Sequence, residues 1–535
     1  MMSINTATNL LPLTTGNIAS RATSPGSVSG TAGANLTASQ IATDSTRVTL
    51  SQTPPVANWP TYTQPVANGG ALVWRQVPSD SLSLLMSGNV TTSALGNRLD
   101  QLGAKLMSAI ATGATSYSQS AIRSNSATPA SGIDLAVQQA KLQSSADNRF
   151  ALSITTASGA QVSVKLGSDD DGLSAEFSVT NGTLTDAERD QLGKLADAFQ
   201  NAVNGLAKQP PVMDFSGLTG FDTSVLTSVD LSATLGANST TPQDISFHAD
   251  ATQRSMHVDG ASGKFDVNVD LKNLQTIGSP KAQAAALDAW LTRFDTAQTR
   301  GNGDASLMRL FKAAFTDLNS HYPAPATLPR IALSNADKSV LSGLADFSAS
   351  ISQTTKAPNP MRPSETDTFD YQISQNTQIG GKDTLNRTLQ QQTQATLSAS
   401  YHRSLWAGVP LNLTSDPKSQ NYEYLKVQDS ATSHVDVGYR DGLLAHAQVR
   451  RAVRQTTQVQ RYEMAKLVSD VTTPLSASST TDLMTLLESV MRNDAARAGK
   501  PSGATAGDGD AANGEIRQRT ALEIDPRRLD SSASQ

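Results

Sequence analysis

Three consecutive carboxylates, Asp169, Asp170 and Asp171, followed by Gly172, form the one place in this 535-residue sequence where oxygen donors for a hard cation stand together. The alternating spacing of a calcium loop is missing and no Glu follows at the right distance, so the competing reading is a solvated hairpin turn. Six histidines, His248, His257, His321, His402, His434 and His446, are scattered without any H-E-x-x-H spacing. His248 and His257 fall in neighbouring predicted strands, where they could face each other as a metal pair or stand as ordinary strand histidines. Between Arg440 and Lys466, Arg450, Arg451, Arg454 and Arg461 accompany those two cations against Asp441 and Glu463, with Tyr439 and Tyr462 near the ends. Such a stretch suits an acidic partner or nucleic acid, or else a solvated strand or helix face. No nucleophile elbow, P-loop or dinucleotide fingerprint occurs, and Gly380-Gly381-Lys382-Asp383 reads as a turn. No catalytic residue and no cofactor is assigned.

Composition narrows the field further. Apolar residues make up 38%, charged residues 17% and aromatics only 5%, in a chain rich in Ser, Thr, Ala and Gln. With 42 basic against 47 acidic residues, the net charge of −5 disfavours a general phosphate-binding surface, so nucleic acid is not the expected partner. The absence of Cys excludes disulfides, thiolate nucleophiles and cysteine zinc sites, and leaves compartment open. Met1 to Ser20 lacks the basic region and apolar stretch of a cleaved secretory signal, and no run of 18 apolar residues is long enough for a membrane helix. The chain is expected to be cytoplasmic or exported by a route that needs no cleaved signal.

The elements that must position these residues follow from periodicity. Residues 1–80 are small and polar and are predicted disordered, apart from a docking patch at Leu72, Val73 and Trp74. In a helical segment over 81–147, Leu95, Leu99, Leu102, Leu106 and Ile110 share one face, capped by Thr92 or Ser93, and Ile133 to Leu142 makes a second helix. Residues 148–209 read as a module: three strands (Phe150–Ile154, Val162–Leu166, Leu173–Val179), then a helix opened by a capping box at Thr185 and Glu188. Residues 210–354 repeat the order, with strands around Phe247, Met256 and Val267 followed by three helices, the last capped by Ser334 and running through Phe347 to Ile351. A linker covers 355–366. Long polar strands are assigned to 367–492, although Leu385, Leu389 and Leu397 fit a helix equally, with a final helix at Leu483–Met491; 493–535 is read as a second disordered tail. The fold class is α+β, antiparallel meanders each followed by amphipathic helices.

The stretch Asn148-Arg149-Phe150-Ala151-Leu152-Ser153-Ile154-Thr155-Thr156, continued by Gln161-Val162-Ser163-Val164 and the helix through Leu206, resembles a module of uncharacterised Ser/Thr-rich bacterial proteins. The resemblance implies the strand-and-helix arrangement only. Composition is separately similar to that of bacterial axial and exported filament proteins, but their paired apolar heptads are missing from the ends. Together these readings point to a non-enzymatic bacterial interaction or surface-structural protein with a protein partner. The alternatives are a cytoplasmic regulator or scaffold that captures partners with its tails, and a hydrolase whose site follows no motif.

Overall fold

Alternation at period two builds most of this chain. The computed structural model describes residues 66–67, 72–123, 132–324, 329–498 and 508–532. The strands are β1 (Val66–Ala67), β2 (Leu72–Trp74), β3 (Ser116–Arg123), β4 (Asn148–Thr156), β5 (Gln161–Asp169), β6 (Gly172–Thr180), β7 (Leu226–Leu235), β8 (Gln243–Asp250), β9 (Gln253–Gly260) and β10 (Gly263–Asp270). They continue as β11 (Asp346–Gln353), β12 (Thr368–Gly381), β13 (Arg387–Ser404), β14 (Tyr422–Arg440), β15 (Leu443–Glu463) and β16 (Lys466–Asp482). All join one antiparallel sheet in the order β1-β2-β3-β6-β5-β4-β7, then strictly sequentially to β16. The fold is mixed α+β and mostly β. Its 21-residue strand β15 extends over about 70 Å at the usual rise per residue.

Register explains the composition. One row of side chains runs Tyr117, Phe177, Val164, Leu152, Leu231, Phe247, Met256, Val267, Ala349, Ile373, Ala395, Ala431, Val453, Ala477 through every strand from β3 to β16. One residue along each strand, on the opposite face, the row is Ser116, Ser178, Ser163, Ser153, Asp230, His248, Ser255, Asn268, Ser348, Ser374, Gln394, Thr432, Ala452, Ser478. A sheet with one wet face needs a polar residue at every second position, and Ser, Thr, Asn and Gln supply it.

The helices are α1 (Ser81–Asn89), α2 (Leu95–Arg98), α3 (Leu102–Ala111), α4 (Gly132–Ser144), α5 (Asp186–Leu206), α6 (Pro280–Gly301), α7 (Ala305–Leu318), α8 (Asn335–Val340), α9 (Met484–Ala498), α10 (Asp508–Thr520) and α11 (Pro526–Ser532). All but α4 lie over the apolar, inner face or at its ends. The capping box of α5 forms as predicted, and although burial opposes it, hydrogen bonds from Thr185 and Ser158 hold Glu188 down to about 2. On α6 and α7, Trp290 and Phe315 pack edge-on with Phe347 of the sheet, Phe294 with Tyr371 and Phe311 with Phe265. Helix α4 lies on the outer face, where Leu142 and Ala146 bury Ile122 and the Leu142 carbonyl accepts from Ser174 Oγ at 3.0 Å.

Several expectations are corrected. The helix through Leu95 and Ile110 is broken at Gln101 (φ 59°) into α2 and α3, and Ala94, not Thr92 or Ser93, precedes it. The helix from Ser334 stops at Val340: Gly343 takes φ +92°, after which Phe347, Ala349 and Ile351 alternate inward as β11. Leu72 to Trp74 is strand β2, paired with β3, with Val73 and Trp74 buried. Within 355–366, read as a linker, Asn359 and Glu365 are buried against the sheet. Residues 508–532, read as tail, hold α10 and α11 and bury Ile516, Leu522 and Leu529. There Ser433 Oγ, Arg293 Nε and Gln455 Nε2 donate to the carbonyls of Thr520, Leu522 and Ile524, each at 2.8 Å. The remaining parts of the two predicted tails, 1–65, 68–71, 499–507 and 533–535, lie outside the described residues.

Candidate functional site

Asp169 and Gly172 close the β5–β6 hairpin, so Asp170 and Asp171 form its turn. The carbonyl oxygens that a cation would seek there are held by Arg98, the last residue of α2 and only 4% exposed. Its guanidinium donates to Ser168 Oγ (2.9 Å), Asp170 O (2.7 Å), Gly172 O (2.7 Å) and Asp169 O. The Asp169 carboxylate accepts the Asp147 N–H, and Arg123 adds a second cation at Asp170 O. A charged group therefore already satisfies the backbone carbonyls of the three-aspartate turn, and it comes from a position that nothing in the motif marks. Arg254, 2% exposed, works in the same way at the end of α7: it donates to the carbonyls of Leu318, Ser320, His321 and Thr219. Burial lowers its pKa only to about 10, so it stays charged at neutral pH.

His248 and His257 share the outer face as diagonal neighbours, since Ser246 opposes His257 and Ser255 opposes His248. They do not turn to each other. His248 places Nδ1 2.6 Å from Asp230 and Nε2 3.2 Å from Asp250; His257 Nδ1 lies 2.7 Å from Asp266. Burial pulls the His248 pKa down, but the bonds and charges of Asp230 and Asp250 outweigh it and hold it above the usual value. Both ring nitrogens of His248 are directed at carboxylates and not at His257. Among the described residues, no group of three or more His, Asp or Glu is arranged to hold a metal ion.

His402 lies on that same outer face, at the far end of β13, but is roofed by residues 355–366. Asp367 Oδ1 is 2.6 Å from its Nδ1 and Glu365 Oε2 is 3.3 Å from its Nε2. Tyr422 donates to the same Glu365 oxygen at 2.5 Å, and Asn359 Nδ2 donates to Tyr422 Oη at 2.9 Å. Tyr422 stacks on Tyr462, and the Arg362 guanidinium lies over the Tyr462 ring at 4.3 Å. Burial, and then the bond to Glu365, push the Tyr422 phenol well up. Acid, base and hydroxyl here come together in a buried cluster. Each group faces another member of the cluster, and neither the cavities described next nor the outer-face trough borders it.

The open spaces lie elsewhere. An inner-face groove of about 660 Å³ has Leu425, Val427 and Val459 as its floor and Thr296 and Arg300 of α6 as its wall. A cavity of about 250 Å³ sits between α6, the sheet and residues 517–522. On the outer face, a trough of about 290 Å³ passes over Ser348 and Ser350 between Asn268, Gln372 and Gln394. The basic stretch is strand β15, and alternation divides it: Arg450 and Arg454 lie in register with outer-face residues, Arg451 and Arg461 with inner-face ones. It makes no single basic patch. Finally, β16 ends the sheet, with Leu467, Val468 and Val471 exposed on it. Among the described residues no helix is long and apolar enough to cross a membrane.

Compared with protein-family models, curated proteins and solved structures, the chain matches none.

Proposed function

We propose that this chain works by binding rather than catalysis, as a bacterial interaction or surface-structural protein. The observation that carries the reading is the sheet's outer face. From β7 to β15 its Ser, Thr, Asn and Gln side chains stand in strand-spaced rows, while the buried apolar side chains of α5 to α11 gather on the inner side. A broad polar face and an unpaired last strand are surfaces that other macromolecules can pair with. The chemistry-bearing groups support the same reading: Arg98 satisfies a turn, and His402, Glu365 and Tyr422 satisfy one another.

Fractionation of a tagged full-length chain tests this. The reading expects intact protein on the cell surface or in the medium, and crosslinking there to other surface components; strictly cytosolic protein counts against it and favours a cytoplasmic scaffold. The scaffold alternative has lost one proposed instrument, because residues 508–532 are engaged with the sheet. A hydrolase reading would need substrate turnover that is lost on His402→Ala while the fold survives.

A further inference from the structure

Among the described residues strand β16 hydrogen-bonds on one side only, to β15, and is the last strand of the sheet. An unpaired strand of this length is a template for another strand unless something blocks it. Residues 466–474 are exposed except for half-buried Ser469, and Leu467, Val468 and Val471 are 50%, 52% and 54% exposed, beside Met464 at 51% in the adjoining turn. The apolar surface is therefore on the edge itself.

We propose that β16 pairs antiparallel with β16 of a second copy of this chain, the two strands crossing at Val471. The inference rests on reading the chain as an interaction protein and names its partner. Its first support is continuity. Tyr401, Leu425, Val459 and Val471 oppose one another across β13, β14, β15 and β16, and this row floors the 660 Å³ groove before reaching the edge. In a pair centred on Val471 the row runs on into Val471, Val459, Leu425 and Tyr401 of the second copy. The second support is that the regular part of the strand, which follows the bulge at Val468, matches itself about this point: Ser469 meets Thr473 and Asp470 meets Thr472, with apolar Leu467 and Leu475 flanking them. A two-fold contact requires this kind of self-matching.

Charge and proline fit as well. Asp470 meets Thr472, and its carboxylate is drawn back onto β15 by the Gln458 and Gln460 amides at 2.8 and 2.9 Å, so no like charges are pressed together at the centre of the new ladder. Pro474 lacks an N–H and belongs on the outward side of an edge strand. In this register it lies three residues from the crossing point, so the missing donor falls away from the centre of the pair. A helix docked on the same patch would leave the strand's outward N–H and C=O groups unpaired.

Light scattering of the full-length protein tests the proposal. Wild-type chain is expected at twice the 56.1 kDa chain mass. Val471→Lys and Val471→Glu, both at an exposed position, are each expected to be folded monomers, since the substituted residue meets its own copy. Mixing the two variants is expected to restore the dimer by opposite charge. Wild-type protein that stays monomeric at every concentration, or Val471→Lys that stays dimeric, overturns the pairing. A monomer that still crosslinks to other surface components would sink this inference and leave the interaction reading standing.

Discussion

Phe247 and His248 are adjacent in β8, yet Phe247 is buried against Phe215, ring centroids 5.3 Å apart, while His248 shares the open face with Asp230 and Asp250. The two faces of this sheet use the same backbone and opposite physics. Inside, side chains fill volume, and every charge needs a full set of partners, as Arg98 and Arg254 have. Outside, polar side chains meet across strands with little at stake individually. The roof over His402 shows how a few residues convert one regime into the other: His248 and His402 both stand between two carboxylates, but only His402 is sealed with them.

The inner face is most sensitive at Phe294, which touches Trp290, Phe311, Phe315 and Tyr371. Phe294→Ala is expected to lower the unfolding free energy by about 3–5 kcal/mol, read as a fall in denaturant midpoint. Arg98→Met comes next, at roughly 2–3 kcal/mol, because it orphans buried carbonyls; added calcium is expected not to recover the loss. Recovery by calcium would restore the metal reading of Asp169 to Asp171.

On the outer face, His248→Gln is expected to cost no more than about 1 kcal/mol, and only in one pH range. A histidine held above its ordinary value in the folded chain adds stability that is fully present below the unfolded pKa of about 6.5 and is lost as pH rises through the folded one. Melting curves of wild type and variant should therefore separate in mild acid and converge at alkaline pH; separation that grows with pH would reverse the sign. Ser374→Ala, in the outer row, is expected to change stability by less than about 0.5 kcal/mol.

Legibility in the sequence follows the same division. The β4–β6 hairpins and α5 could be read because large apolar residues alternate there and Thr185 and Glu188 mark the cap. Strands β13 to β16 read ambiguously because small Ala395, Ala399, Ala431 and Ala477 fill many of their inner positions, so the period-two contrast is faint. Leu341, Leu344, Phe347 and Ile351 fit a helical stripe as well as a strand, and the turn at Gly343 decides between them. The C-terminal segment was illegible because its partners are remote: Arg293 meets Leu522 across 229 residues. Of the candidate site residues, the aspartate turn was visible as a turn, but nothing local announced Arg98. The 355–366 roof was hidden by prolines that read as a linker.

Because the chain contains no cysteine, each introduced thiol reports alone, and scanning residues 390–399 of β13 tests the one-sided sheet directly. Thiols at Gln392, Gln394 and Thr396 are predicted to react quickly with a water-soluble maleimide, and those at Thr393, Ala395 and Leu397 slowly. Uniform reactivity, or protection repeating every three to four residues as in a helix, would contradict the account.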